Sequence, residues 1–359
     1  MARLRTLRRL LLAAALTAAT AVPAFATPAD AAVQPAWASS NAAGCGVSAQ
    51  VVAPTATANI ADPNLSPARR SLLKQIKDSG VQMLTSATCQ DRGPGHPAPP
   101  RTPASSSSSA AKPGASADGT MHPDTVYSQT SGNWSGFENY DNVKYTQVTM
   151  AWTVPTANAP APAEYHSSIW PGIGSGDSSS KALIQNGTDS DAYCNAAGCT
   201  RHYEFWYEVY PAESSKTVSG LSVHAGDKVQ TSVIYDPSNK SVLFFFVNAT
   251  TAKGLSITQS LPALGNTVDQ SQVEWIVERP SFSGTLTALT NFGTLTLSQT
   301  QYMDSSYPDW VPGGYAGAEN QITMTNCKGT QNLAVPYGWT SDLLTWYDVW
   351  VNAGKWESC

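Results

Sequence analysis

Residues 120–359 read as an all-β domain, an antiparallel sandwich or barrel. Three observations predict this. Short apolar runs recur at Val148–Val154, Ala182–Gln185, His202–Tyr210, Lys228–Tyr235, Ser241–Asn248, Gln272–Glu278, Gly284–Leu289 and Thr294–Ser298. Turn residues separate them, as in Ala225-Gly226-Asp227 and Asp236-Pro237-Ser238-Asn239. No amphipathic run of ten residues suits a helix, and many short strands with turn signals point to a closed or two-layered β architecture.

The chain ahead of this domain has a different character. Arg3, Arg5, Arg8 and Arg9 precede an apolar run from Leu10 to Val22, with small residues at Ala24-Phe25-Ala26 and Ala29-Asp30-Ala31. That order is a secretory signal over 1–31, too short to span a bilayer, which takes roughly 18–20 apolar residues. Residues 32–119 form a second segment. Pro67 in a first turn, with Leu72, Leu73, Ile76 and Val81 at helical spacing, predicts a helix over Ser66–Leu84. From Gly93 to Gly119 the chain is Pro, Ser, Ala and Gly, the composition of a linker. Residues 32–119 carry a net charge of +3, and residues 120–359 carry −11. A phosphate backbone requires a basic face, so nucleic acid is excluded as the main partner, while a basic segment docked on an acidic domain suits a pro-segment. No run in the chain predicts a membrane span.

Six cysteines in a secreted chain read as disulfides. Cys194 and Cys199 can close a small loop, Cys359 can tie the tail to Cys327, and Cys45 and Cys89 then remain for each other. A zinc site at Cys194, Cys199 and His202 is the sharper alternative, but it lacks a fourth ligand. Asn64, Asn133, Asn186 and Asn248 head Asn-x-Ser/Thr triplets, which would be acceptors for glycans.

Two strands carry acids. In Val273-Glu274-Trp275-Ile276-Val277-Glu278, alternation puts Glu274, Ile276 and Glu278 on one face and Val273, Trp275 and Val277 on the other. In Tyr203–Tyr210 it groups Glu204, Trp206, Glu208 and Tyr210, against a core face of Tyr203, Phe205, Tyr207 and Val209. A carboxylate in mid-strand beside tryptophan needs a partner or a task, and aromatics mixed with acids suit the wall of a binding groove. A solvated outer face is the plainer reading of either strand alone. Gln185 ends an apolar strand just before a turn, so its amide can project into a cleft. The chain has no Gly-x-Ser-x-Gly elbow, no His-Glu-x-x-His helix, no phosphate loop and no dinucleotide glycine pattern. Carboxylates and amides are left to carry any chemistry.

In one order along the chain, Ser131-Gly132-Asn133-Trp134-Ser135-Gly136, Trp152-Thr153-Val154-Pro155, the Trp170 and Gln185 segments, Trp206–Pro211, Ala225-Gly226-Asp227 and Glu274–Glu278 resemble the glutamic peptidases, the eqolisins. The resemblance implies a concanavalin-like antiparallel β-sandwich of two large sheets, preceded by a signal peptide and a partly helical pro-segment, with the active site in a concave sheet face. It implies Gln185 and Glu274 as the catalytic pair and Trp134, Trp170, Glu208 and Tyr210 as substrate-groove residues. It further implies a secreted, pepstatin-insensitive acid endopeptidase acting on polypeptides without metal or cofactor. A monomer is expected, and the charge split suits a zymogen whose own basic pro-segment docks across the acidic groove. The family's aspartate after the Trp-x-Gly-Ile step is Gly174 here, which makes Asp189 the candidate to orient Gln185. Cys194–Cys199 sits in an insertion expected near the groove, and the tail from about Tyr302 has no clear counterpart in the family pattern.

The implied chemistry is coherent: ionised Glu274 would take a proton from water, and the Gln185 amide would stabilise the oxyanion. Two other readings use the same residues. A glycoside hydrolase would pair Glu208 with Glu274, and a non-catalytic carbohydrate-binding sandwich would stack sugars on Trp134, Trp170 and Trp206.

Overall fold

The computed structural model describes residues 37–91 and 125–359, apart from 47, 56–57, 176–180, 266 and 316–317. The signal at 1–31 and the Gly93–Gly119 linker lie outside the described residues. In chain order the main elements are β1 (Trp37–Asn41), β2 (Gln50–Pro54), α1 (Pro67–Ser79), β3 (Thr88–Asp91), β4 (Thr125–Ser131), β5 (Trp134–Asn139), β6 (Tyr145–Thr153), β7 (Ser168–Ile173), β8 (Lys181–Asn195) and β9 (Gly198–Tyr210). They continue with β10 (Lys216–Ser219), β11 (Lys228–Asp236), β12 (Ser241–Asn248), β13 (Lys253–Ser260), β14 (Val273–Glu278), β15 (Thr294–Asp304), β16 (Ala318–Thr325), β17 (Asn332–Tyr337) and β18 (Trp346–Trp350).

The strands form two layers. The front sheet runs β3-β10-β9-β8-β7-β14-β5-β16-β4, antiparallel except for the β16–β4 pair. The back sheet runs β1-β2-β13-β12-β11-β6-β15 and is antiparallel throughout. Strands β17 and β18 bridge β16 to β15 and join the layers along one side. Alternate residues of the strands point inward from both layers and meet in one core that includes Phe137, Trp152, Phe205, Tyr207, Phe244, Phe246, Trp275 and Trp346. The expected β-sandwich is the fold observed.

The leader adds to both layers. Helix α1 starts at Ser66, whose hydroxyl accepts from the Arg69 N–H, and stops at Gly80, which takes the left-handed conformation. The predicted helix ran on to Leu84, but Gly80 turns the chain and Gln82–Met83 pairs with β13 instead. Helix α1 covers the outer face of the back sheet, where Leu72 and Ile76 pack with Ile234, Leu243, Phe245 and Val247. Two buried hydrogen bonds tie it down, Ser71 to Gln147 and Ser232 to Gln75. Strands β2 and β3 extend the two sheets at one edge, and Cys45–Cys89 links the leader to itself. The described leader therefore packs beside and behind the sandwich, not across the face of the front sheet. One ion pair between the described leader and the domain runs opposite to the overall charge split, with Asp91 on the leader and Lys216 on β10.

The other two disulfides are Cys194–Cys199 and Cys327–Cys359. Cys194 and Cys199 close the tip of the β8–β9 hairpin, which removes the zinc alternative. Nine residues separate this tip from Gln185, ~30 Å along a strand, so the disulfide is remote from Gln185 rather than beside it. Asn133, Asn186 and Asn248 are buried and donate hydrogen bonds inside the fold, so those triplets are structural. Among the described residues no helix is long and apolar enough to cross a membrane.

Two carboxyl groups stand inside the side closed by β17 and β18. Glu319 is 1% exposed, and burial pushes it up to about 8 although the Trp339 indole donates to it at 2.6 Å. Asp348 is fully buried, and burial raises it to about 7. Both values lie above those of the unfolded chain, near 4.5 and 3.8. Folding thus favours the protonated forms. Their contribution to stability is complete in acid below the unfolded values and is lost as pH rises towards the folded ones. The expected outcome is a higher unfolding temperature at pH 4 than at pH 8, measured by circular dichroism. Glu319→Gln should narrow that gap, and an unchanged gap in this variant would remove Glu319 as a cause.

Candidate active site

The front sheet has a second apolar cluster on its outer face, formed by Trp134, Trp170, Leu183, Trp206, Ile276 and Ile322 with Tyr210 against it. Its members alternate with core residues along each strand, as predicted for β9 and β14. Glu274, Ile276 and Glu278 share this outer face, while Val273, Trp275 and Val277 point into the core.

Strand register arranges the outer face in rows. One row reads Glu208, Gln185, Gly172, Glu274, Glu138 and Asn320, on six successive strands. The next reads Trp206, Gly187, Trp170, Ile276, Gly136 and Ile322. A third holds Glu204, Asp189, Ser168, Glu278 and Trp134. Gln185 and Glu274 therefore flank Gly172 at the same level, two strand spacings or ~10 Å apart at the backbone. Gly172 places no side chain between them, and the Trp170 ring and Leu183 pack over it. A Cβ there would lie 2.9 Å from the Trp170 ring and 3.1 Å from Leu183.

Hydrogen bonds give these groups different duties. Gln185 Nε2 donates to Glu208 Oε2 at 2.7 Å. This fixes the amide so that its second N–H and its carbonyl are turned from Glu208. The buried Oε1 of Gln185 has no hydrogen-bond partner among the described residues. Glu274 is fully buried, and Gln272 Nε2 donates to its Oε2 at 3.4 Å. Glu278 is held on both oxygens, by Asn133 Nδ2 at 3.0 Å and by the Trp170 indole at 2.8 Å. Trp170 in turn meets Trp134 edge-on, with centroids 5.3 Å apart. Burial and the Glu208 carboxylate push the Tyr210 phenol upward, so it stays a neutral hydroxyl.

All six sequence-predicted site residues thus lie on one sheet face. Asp189 does not take the orienting part expected of it. It sits two rows from Gln185 and accepts from Ser168, and Glu208 is the group that touches the amide. Gly174 adopts φ +115 and its Cβ would lie 2.7 Å from the Ala182 carbonyl, so the backbone has no room for an aspartate there. Sequence reasoning missed Gly172, Glu138 and Asn320. Only the register brings them to the row, and alternation within one strand does not reveal register. Among the described residues no group of three His, Cys, Asp or Glu side chains is placed to hold a metal ion.

Residues 132–337 match the sequence model of the Peptidase A4 family. The chain belongs to this family. The match runs through β16 and β17, so the tail from Tyr302 does have a counterpart as far as residue 337. One Peptidase A4 relative, aspergillopepsin-2 of Aspergillus niger, is 29% identical over 196 residues, which cover 49% of this chain and 66% of that protein. The chain thus spans just under two thirds of the length of that relative. Among solved structures, scytalido-glutamic peptidase with a transition state analog inhibitor aligns over 61% of this chain and 98% of its own, at 21% identity and a TM-score of 0.48. Aspergilloglutamic peptidase from Aspergillus niger aligns over 52% and 99%, at 23% identity and a TM-score of 0.43.

Gly172→Ala is expected to push the Trp170 ring and cost about 1–3 kcal/mol, the usual scale for overpacking. Gly338→Ala, with nothing within 4 Å of its added carbon, should stay within about 0.5 kcal/mol of the parent. Urea unfolding followed by tryptophan fluorescence tests both; equal costs would show that the row tolerates a side chain at Gly172.

Proposed function

We propose that this chain is a secreted acid endopeptidase in which Gln185 and Glu274 hydrolyse peptide bonds. The observation that carries the reading is the row itself, with a glutamine amide and a buried carboxylate facing each other across a glycine. A substrate carbonyl above Gly172 has Gln185 on one side and Glu274 on the other. Glu274 accepts a proton from water as the water oxygen attacks that carbonyl. The amide N–H of Gln185 that is not given to Glu208 donates to the oxyanion, and its carbonyl holds the water. Glu274 then returns the proton to the leaving nitrogen as the C–N bond breaks. Ordinary carboxyl groups have pKa values near about 4, so such a base keeps working in acid where most nucleophiles are protonated.

Two features favour this over the alternatives. Glu208 and Glu274 lie three strand spacings apart, ~14 Å at the backbone, with Gln185 between them. Paired glycosidase carboxyls stand about 5–9.5 Å apart. Trp134, Trp170 and Trp206 are at most 4% exposed, and Trp134 meets Trp170 edge-on, so they do not offer flat platforms for sugars.

The leader is proposed as the enzyme's own inhibitor. Asp91 and Thr125 end and begin strands at opposite edges of the front sheet, and a cut between them separates the leader from the domain. Residues 37–91 are attached largely by apolar contacts and strand pairing, which acid does not dissolve. Activation therefore requires the cut, and protonation alone is insufficient. In acid, wild-type protein should be cut between Asp91 and Thr125 as activity appears. Full activity of intact chain at pH 3 would rule the inhibition out.

Glu274→Gln should lower proteolysis of a denatured protein at acid pH by at least ~10²-fold, and Gln185→Ala by about 10²–10³-fold, with the fold intact. Glu278→Gln should cost far less, because that carboxylate braces Trp170. If Glu278→Gln is the lethal change, or if glucans release reducing sugar while protein is untouched, the assignment fails.

A further inference from the structure

Glu274 stands among other acids. Glu138 lies opposite it on β5, Glu278 lies two rows along β14, and Glu208 lies behind Gln185 on β9. On its other side β7 contributes Gly172 and Trp170. Tyr140, after β5, and Tyr210, closing β9, stay neutral because burial raises both phenols. No lysine or arginine occupies the three rows, and Lys181, farther along β8, lies 3.8 Å from Asp269. Neighbouring carboxylates and burial both disfavour an ionised carboxyl group. A base that takes a proton from water works only in the ionised form.

A neutral donor reaches Glu274 from the start of its own strand. Gln272 precedes β14 and is two residues from Glu274, so its side chain shares the outer face one row away. It is 8% exposed, and its Nε2 donates to Glu274 Oε2 at 3.4 Å. Such bonds are often long in a free enzyme and tighten when substrate binds. The backbone of Gln272 is pinned as well, since its carbonyl accepts from the Gly174 N–H at 3.1 Å. Gly174 has no room for a side chain, so nothing from that position competes with the amide. A carboxamide donates a hydrogen bond and does not titrate.

We propose that Gln272 is a positioning residue for the general base, an amide that fixes the Glu274 carboxylate and keeps it ionised in acid. The inference rests on the peptidase reading above. A hydrogen bond donated to a carboxylate stabilises the charged form over the neutral one. Removing the donor therefore makes Glu274 take up its proton at a higher pH. Activity is then lost sooner as the pH falls. The other contacts of Glu274 stay in place, so the change lies in the pH at which the base works, not in whether a base is present.

The test uses full-length protein activated in acid and an internally quenched peptide with blocked ends and no Asp, Glu or His. Its kcat/KM is followed from about pH 2 to pH 6, where the fall on the acid side reports protonation of the base in the free enzyme. Gln272→Leu, close in size but without a donor, should move the midpoint of that fall up by ~0.5–1 pH unit. Above the midpoint its kcat/KM should stay within ~3-fold of wild type. Gln272→Asn keeps the amide but withdraws it by one methylene. It should move the midpoint in the same direction, and it serves if Gln272→Leu fails to fold. A residue that only supports the fold would lower kcat/KM at every pH and leave the midpoint in place. A midpoint unmoved or lowered in either folded variant overturns the proposal, and cleavage that still depends on Glu274 then leaves the peptidase reading standing. Absence of cleavage by wild type, or cleavage undiminished in Glu274→Gln, overturns both.

Discussion

Register across six adjacent strands is the constraint on which the molecule depends. Side chains alternate along a strand, so a slip of one residue in β14 would carry Glu274 and Glu278 into the core and bring Trp275 out. Several contacts oppose such a slip. Trp170 reaches from β7 to Glu278 on β14, and Gln185 on β8 reaches Glu208 on β9. Gly187 packs with no room for a Cβ, which would lie 2.1 Å from the Ile169 carbonyl, and at Gly136 it would lie 2.1 Å from the Trp275 carbonyl. These close approaches fit only one alignment. The same contacts that make the sheet therefore hold the amide and carboxylate at one level.

A face so rich in acid is costly to assemble where carboxylates are ionised, because like charges on adjacent strands repel and burial withholds water. Hydrogen bonds from neutral donors answer much of this: indole, carboxamide and hydroxyl groups reach Glu278, Glu208, Asp189 and Glu138. Inside the closed side, Glu319 and Asp348 have little such help and rest on protonation. The arrangement within the core therefore favours an acidic medium. Arg279, which directly follows β14, is fully buried and works differently. It donates to backbone carbonyls of Gly132, Thr287 and Lys355 and to Glu357, so one charge anchors the C-terminal chain to the end of the strand that carries Glu274.

Much of this was legible before any coordinates. Alternation in Tyr203–Tyr210 and Val273–Glu278 separates the core from the outer face correctly, because period two is a property of a single strand. The Cys194–Cys199 pairing also follows from proximity along the chain. Pairing between distant strands does not. Nothing local in Gly172, Glu138 or Asn320 marks them. The part assigned to Asp189 was misplaced for the same reason: four residues along a strand is two rows away. The strands at Lys253–Ser260, Ala318–Thr325 and Trp346–Trp350 mix polar and apolar residues unevenly, and their partners, rather than their own sequence, make them strands.

Helix α1 lies over Ile234, Leu243, Phe245 and Val247 on the back sheet. A recombinant fragment that began at Thr125 would leave those side chains to water, beside the edge of β13 that β2 now occupies. Bare edges and apolar faces of this kind recruit other chains. The segment that sequence alone marks as disposable is thus also a shield against self-association, and anyone preparing the sandwich for crystals or assays would do well to keep it, even as a separate strand of polypeptide supplied during refolding.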